Sequence, residues 1–188
     1  MDLAERLSRD LDGAFLELVA QHQDLVYGVA LRLLREPADA EDAAQETFVR
    51  AYRALSRYPA DRICELRLRP WLARIALNQA RNSLRGRRAQ AELGEAPEPA
   101  ARSAAEPLVL AERREERRFW LAMLEGLPSR YRLAVALRHV EGLSYPELAA
   151  TLERPLGSVK SDVHRGVRLL RAAYEEEMIR NSQREAAG

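Results

Sequence analysis

This 188-residue chain has one cysteine, three histidines and a single lysine. Cys64 alone cannot close an internal disulfide. His22, His139 and His164 are scattered, and no Cys/His cluster has zinc spacing, so neither a metal nor another cofactor is expected. Asp39, Glu41, Asp42 and Glu46 lack the Glu-x-x-His partner that a di-metal bundle needs, and Cys64 has no base nearby in sequence. No catalytic residue is therefore assigned, and an enzyme is not expected. No apolar run approaches the ~20 residues of a membrane span. The start, Met1-Asp2-Leu3-Ala4-Glu5-Arg6, lacks the basic and apolar pattern of a secretory signal. Direct membrane insertion is thus excluded, and a cytoplasmic protein is expected. Sustained alternation of β-branched residues is also missing, which argues against strands.

What is present is charge in blocks. The formal net charge is only +1, yet residues 1–50 carry 5 basic and 11 acidic side chains, while residues 51–90 carry 10 against 2. Residues 91–116 are again acidic, and residues 128–171 carry 8 basic against 4 acidic side chains. Two basic blocks set between acidic ones point to two separate anionic contacts, most commonly nucleic acid, against the plainer reading of solvated helix faces.

Helical period runs through nearly the whole chain, so the fold is expected to be all-α. Phe15, Leu18, Val19, Leu25, Val26, Val29, Ala30 and Leu33 predict one or two helices ending near Pro37. The next helix is predicted to start around Asp39, which would cap it, and to bury Ala44, Phe48, Ala51 and Leu55. For Phe48, Tyr52 and Leu55 a core role is the better reading. Tyr58 to Arg69 is expected as a loop, followed by a helix from about Trp71 to Arg88. Residues 89–106, with seven Ala, four Glu and two Pro, read as a linker. Helices follow near 107–125, 128–141, 145–153 and 156–177. The organisation is thus two small helical domains, 1–88 and 107–177, joined by a flexible linker and followed by a tail at 178–188.

The second domain carries the sharper motif. In Leu143-Ser144-Tyr145-Pro146-Glu147-Leu148, Ser144 can cap the helix, Glu147 can reach back, and Leu143 can staple against Leu148. A turn at Glu153-Arg154-Pro155-Leu156 then leads to a helix with Val159, Val163, Val167 and Leu170 on its buried side. Short helix, tight turn and longer helix make a helix-turn-helix. Ser158, Ser161, Asp162 and Arg165 are read as its outward face, flanked by Lys160, His164, Arg168 and Arg171, with Gly157 letting backbone approach. Short polar side chains beside phosphate donors suit the major groove.

These strings resemble a known family. GLSYPELAATL at Gly142–Leu152 and PLGSVKSDVHRG at Pro155–Gly166 resemble the promoter-reading domain of extracytoplasmic function sigma factors. DAEDAAQETFVRAYRAL at Asp39–Leu55 resembles the family's polymerase-binding helix, and WLARIALNQARNSLRGRR at Trp71–Arg88 the helix after it. The resemblance implies an alternative sigma factor that binds core RNA polymerase and promoter DNA, helps open the DNA, and is held by an anti-sigma protein. It implies polymerase contacts through Asp39, Asp42, Gln45, Glu46 and Arg50. It places minus-ten contacts at Tyr58, Arg74, Asn78, Arg81, Asn82 and Arg85, and minus-thirty-five contacts at Ser158, Lys160, Ser161, Asp162, His164, Arg165 and Arg168. Trp71 is expected in the core, leaving Tyr58 as the stacking candidate. Two residues depart from the family. Asp162 stands where many relatives have a basic residue, and it would repel phosphate unless it pairs with Arg165 or accepts from a cytosine amine. Glu153 replaces a frequent glycine, with a small strain expected. The competing reading is a stand-alone helix-turn-helix regulator whose first domain dimerises or senses a ligand.

Overall fold

The computed structural model describes residues 2–92, 119–120 and 122–186, and among them the secondary structure is helical without strands. The chain divides into two compact units, one built on the helices up to residue 92 and the other on those after residue 104.

In the first unit, α1 (Leu3–Arg9) is fixed by a capping box in which Leu3 N–H donates to Asp2 Oδ1 at 2.6 Å and Asp2 N–H to Glu5 Oε2 at 3.2 Å. Asp10 then caps α2 (Leu11–Leu34), accepting from Gly13 N–H at 2.9 Å. A Cβ at Gly13 would lie 2.2 Å from Asp10 Oδ2, so a side chain there would make the capping carboxylate shift. The helix stops at Arg35, whose φ of 67° is left-handed.

The following helix, α3 (Pro37–Leu55), starts two residues before the expected Asp39. Pro37 fills its first turn, where a missing amide costs nothing. Asp39 does not cap it: the N-cap position falls to Glu36, and Asp39, inside the first turn, pairs with Arg87. The buried stripe is Ala40, Ala43, Thr47, Ala51 and Leu55, rotated from the expected Ala44–Phe48–Ala51–Leu55 line. Thr47 fits because its hydroxyl donates to Ala43 O at 2.6 Å, leaving no unmet polar group. Phe48 and Ala44 sit half-buried at the edge. Tyr52 is 37% exposed and not core; its ring meets Phe15 edge-on at 5.1 Å, and its hydroxyl donates to Asp12 Oδ1 at 2.5 Å.

The expected loop contains a short helix, α4 (Ala60–Cys64), pinned by buried Ile63. The long α5 (Leu68–Glu92) begins ahead of Pro70, with Trp71 N–H donating to Arg67 O at 3.1 Å. It buries Trp71, Leu72, Ala73, Ala76, Leu77 and Ala80, and it packs with α2 and α3 as a three-helix core. Small residues at the contact, Ala30, Ala40, Ala43 and Ala80, let the backbones approach closely. Because α5 continues to Glu92, the expected linker start at residue 89 is helical; 93–106 lies outside the described residues, as does 107–118 of the expected next helix.

In the second unit, α6 (Ser129–His139) buries Leu133 through Leu137. Then come α7 (Tyr145–Leu152) and α8 (Leu156–Ala186). The last helix runs past the expected end at 177 and takes up most of the expected tail. Val135 on α6 packs with Leu124 and Leu127, with Val167 and Leu170 of α8 against them. Among the described residues, no helix is long and apolar enough to cross a membrane.

Candidate functional site

Three surfaces hold the candidate residues. On α3, Asp42 and Gln45 are exposed, while Glu46 accepts from Arg50 Nε at 2.8 Å, one helical turn on. Asp39 is half-buried in its ion pair with Arg87, so it ties α3 to α5, and the open acidic edge narrows to Asp42, Gln45 and Glu46.

Between α3, the turn at Tyr58 and α5 lies a groove of about 420 Å³, lined by Arg50, Ala54, Tyr58, Trp71, Arg74, Ile75 and Asn78. Of the residues expected at the minus-ten element, Tyr58, Arg74 and Asn78 meet here. Asn82 and Arg85 continue the exposed stripe along α5, with Arg81 half-buried beside them. The Trp71 indole is buried, as expected, and tilts against Tyr58 at 6.4 Å between centroids. Two arginines belong with this group. Arg50, expected to face the polymerase, lines the groove as well, and the Arg62 guanidinium lies 3.8 Å from the Tyr58 ring centre. An aromatic ring, a carboxamide and several guanidiniums around one open groove can stack an unpaired base and hold the phosphates beside it. Arg62 escaped notice because it sits on α4, a five-residue helix without a stripe to reveal it.

The helix-turn-helix forms as its caps dictate. Ser144 N–H donates to Glu147 Oε2 at 2.8 Å, Glu147 N–H reaches Ser144 Oγ at 3.4 Å, and Leu143 and Leu148 are both fully buried. Glu153 closes α7 with φ at 54°, so the residue that replaces glycine does take the left-handed conformation. On α8, Val159 and Val163 face inward. Lys160, Ser161, His164, Arg165, Arg168 and Arg171 are exposed, and Ser158 is half-buried. At 100° per residue the exposed side is centred on Ser161, His164 and Arg168. Lys160 also approaches the Tyr145 ring of α7, 5.8 Å from its centre, with Arg138 at 5.0 Å. A Cβ added at Gly157 would meet nothing within 4 Å, so its backbone is open to a partner.

Asp162 is the exception. It has 0% exposure and does not belong to the outward face; it lies in the stripe of Val159, Val163 and Gly166. Arg130 Nε donates to both carboxylate oxygens at 2.9 Å, its Nη2 lies 2.7 Å from Oδ1, and Arg154 pairs with Oδ2. Burial alone would raise the Asp162 carboxyl; hydrogen bonds and charge from Arg130 and Arg154 outweigh it and hold the group below the usual carboxylate range. A buried acid needs cationic partners. With Asp162 read as outward, the sequence offers only Arg165 as its protein partner, and Arg130 and Arg154 are missed.

Comparison with known proteins gives consistent matches. The Sigma-70 region 2 model matches residues 18–90, and the Sigma-70, region 4 model residues 120–170. The chain is 39% identical over 158 residues to the ECF RNA polymerase sigma factor SigE of Mycolicibacterium smegmatis, covering 82% of this chain and 59% of that protein's length. It is 35% identical over 173 residues to the RNA polymerase sigma-H factor of Pseudomonas aeruginosa, covering 87% of each. Among solved structures, CnrH in complex with the cytosolic domain of CnrY matches at a TM-score of 0.65 and 28% identity, over 93% of this chain and 96% of that one.

Proposed function

The chain belongs to the extracytoplasmic function sigma factors of the sigma-70 family, and from that premise we propose how its surfaces divide the work of promoter selection. It acts as an alternative sigma factor, directing core RNA polymerase to specific promoters, and its role is DNA binding and regulation, not catalysis. The exposed edge of α3, with Asp42, Gln45 and Glu46, docks on the polymerase. The groove of Tyr58, Arg74 and Asn78, extended by Arg81, Asn82 and Arg85, takes an unpaired base of the minus-ten element. Unstacking that base costs a few kcal/mol, which aromatic and polar contacts in the groove offset. The exposed side of α8 enters the major groove of the minus-thirty-five element. Lys160, Arg168 and Arg171 hold phosphates there, while Ser161, His164 and Arg165 approach base edges. We further assign it to the cytoplasm. By analogy with CnrH, which was solved with the cytosolic domain of CnrY, we assign it an anti-sigma partner that covers these surfaces when the factor is idle.

The observation that carries the reading is the coexistence in one chain of a basic helix-turn-helix and a first unit with its own acidic edge and an open groove of aromatic and basic side chains. A regulator needs only the former. Binding of the purified chain to core RNA polymerase tests it. Saturable binding that creates promoter-specific duplex affinity is expected. Duplex binding with no affinity for core enzyme would make the chain a stand-alone regulator.

A further inference from the structure

Asp162 is a full negative charge, with no exposure, on the helix assigned to read DNA. Its two partners come from different places. Arg130 sits in the first turn of α6, and Arg154 in the turn that leads into α8. Their side chains are 55% and 30% exposed, so both guanidiniums keep water while the carboxylate has none. One oxygen faces mainly Arg130 and the other Arg154, and Arg130 Nε bridges both.

The rest of the α8 contact is apolar, with Gly166 held close to Val135 and Tyr131 of α6. Val159, Val163, Val167 and Leu170 on either side of that approach make non-directional contacts, which tolerate a small rotation about it. A buried charge pair does not, because any rotation leaves the carboxylate short of a donor. We infer that Asp162 is a positioning residue of the recognition helix: its paired contacts with Arg130 and Arg154 set the rotation of α8, and thereby which side chains meet the bases, although Asp162 itself touches no DNA. Without it, the partly exposed guanidiniums of Arg130 and Arg154 turn to water and the directional pin on α8 is gone, so Ser161, His164, Arg165 and Arg168 lose a fixed register. This inference rests on the reading of α8 as the minus-thirty-five helix.

The test uses holoenzyme reconstituted from core RNA polymerase and the full chain, with duplexes randomised across the minus-thirty-five element and a fixed minus-ten element. The readouts are the enriched sequence profile, the ratio of affinities for preferred and scrambled elements, and the affinity for core enzyme. Asp162→Asn keeps the shape and removes the charge. It is expected to lower the ratio about tenfold, comparable to one lost base contact, and to flatten every position of the profile while core affinity stays unchanged. Asp162→Glu, which keeps the charge, should stay within about threefold of wild type. A ratio unchanged by Asp162→Asn overturns the inference, as does a smaller active fraction with the profile intact. Loss at one base position only would make Asp162 a base reader and overturn it too. Where Asp162→Asn does not fold, Arg130→Gln, at a half-exposed partner, takes its place: a lower ratio supports the inference and an unchanged one overturns it. A wild-type holoenzyme without any minus-thirty-five preference would sink the reading of α8 itself, a result separable from all the others.

Discussion

At Gly166 α8 lies close against α6. A Cβ at that position would stand 2.5 Å from Val135 Cγ2 and 3.2 Å from Tyr131 Cβ, and Val135 is itself buried and stiffened by β-branching. Gly166→Ala should therefore destabilise the second unit by about 1–3 kcal/mol, the usual range for overpacking, seen as a lower thermal midpoint by circular dichroism. A midpoint equal to wild type would mean that the two helices separate freely. Four residues earlier, Asp162 gives a pH dependence whose sign is fixed. Its folded carboxyl is held below the ordinary range, chiefly against the cost of burial, by hydrogen bonds and charge from Arg130 and Arg154. Its contribution is complete above the unfolded value and is lost as pH falls through the folded one. Acid titration of stability below about pH 4 should consequently be shallower for Asp162→Asn than for wild type, while equal slopes would contradict the pairing.

At the scale of single helices, α3 separates two kinds of carboxylate. Asp42 is exposed and Glu46 lies beside it, whereas Asp39 is spent on Arg87. Reversing charge at Asp42 and Glu46 together should weaken binding to core polymerase at least tenfold, a coupling typical of two rim charges, with the helix content unchanged. Asp39→Asn should do much less to that affinity, and an equal loss from both variants would return Asp39 to the docking edge. The start of α7 was readable in advance because Ser144, Glu147, Leu143 and Leu148 act within six residues of one another. The facing of α3 and α8 was less so. The buried stripe of α3 is mostly alanine with Thr47, and that of α8 includes Asp162 and Gly166, so neither contrasts with a polar face. Spacing identifies a face, but only a partner on another helix decides whether it points in or out. Pro70 misled in a different way: read as a boundary, it lies inside the first turn of α5, where proline is tolerated. The groove residues Tyr58, Arg74 and Asn78 could be named from the sequence, but their meeting with Arg50 depends on how α3 packs on α5.

Across the whole molecule, the cancelling charge blocks resolve into an acidic edge on α3, a polar and basic stripe on α5 and a basic side of α8, and a formal charge of +1 conceals all three. In the proposed function each of them meets a different partner: polymerase, an opened strand and a closed duplex. The chain would then do more than deliver polymerase to DNA; it would hold the minus-ten base that leaves the stack. Permanganate footprinting of reconstituted holoenzyme on a promoter selected by this chain is the test of that role, because permanganate modifies thymines that are unpaired. Reactive thymines are expected at the minus-ten element only when the chain is present, with Asn78→Ala reducing that reactivity while minus-thirty-five protection stays intact. Full melting by Asn78→Ala would remove the groove from promoter opening, and protection by wild type without any melting would contradict the proposed role in opening DNA.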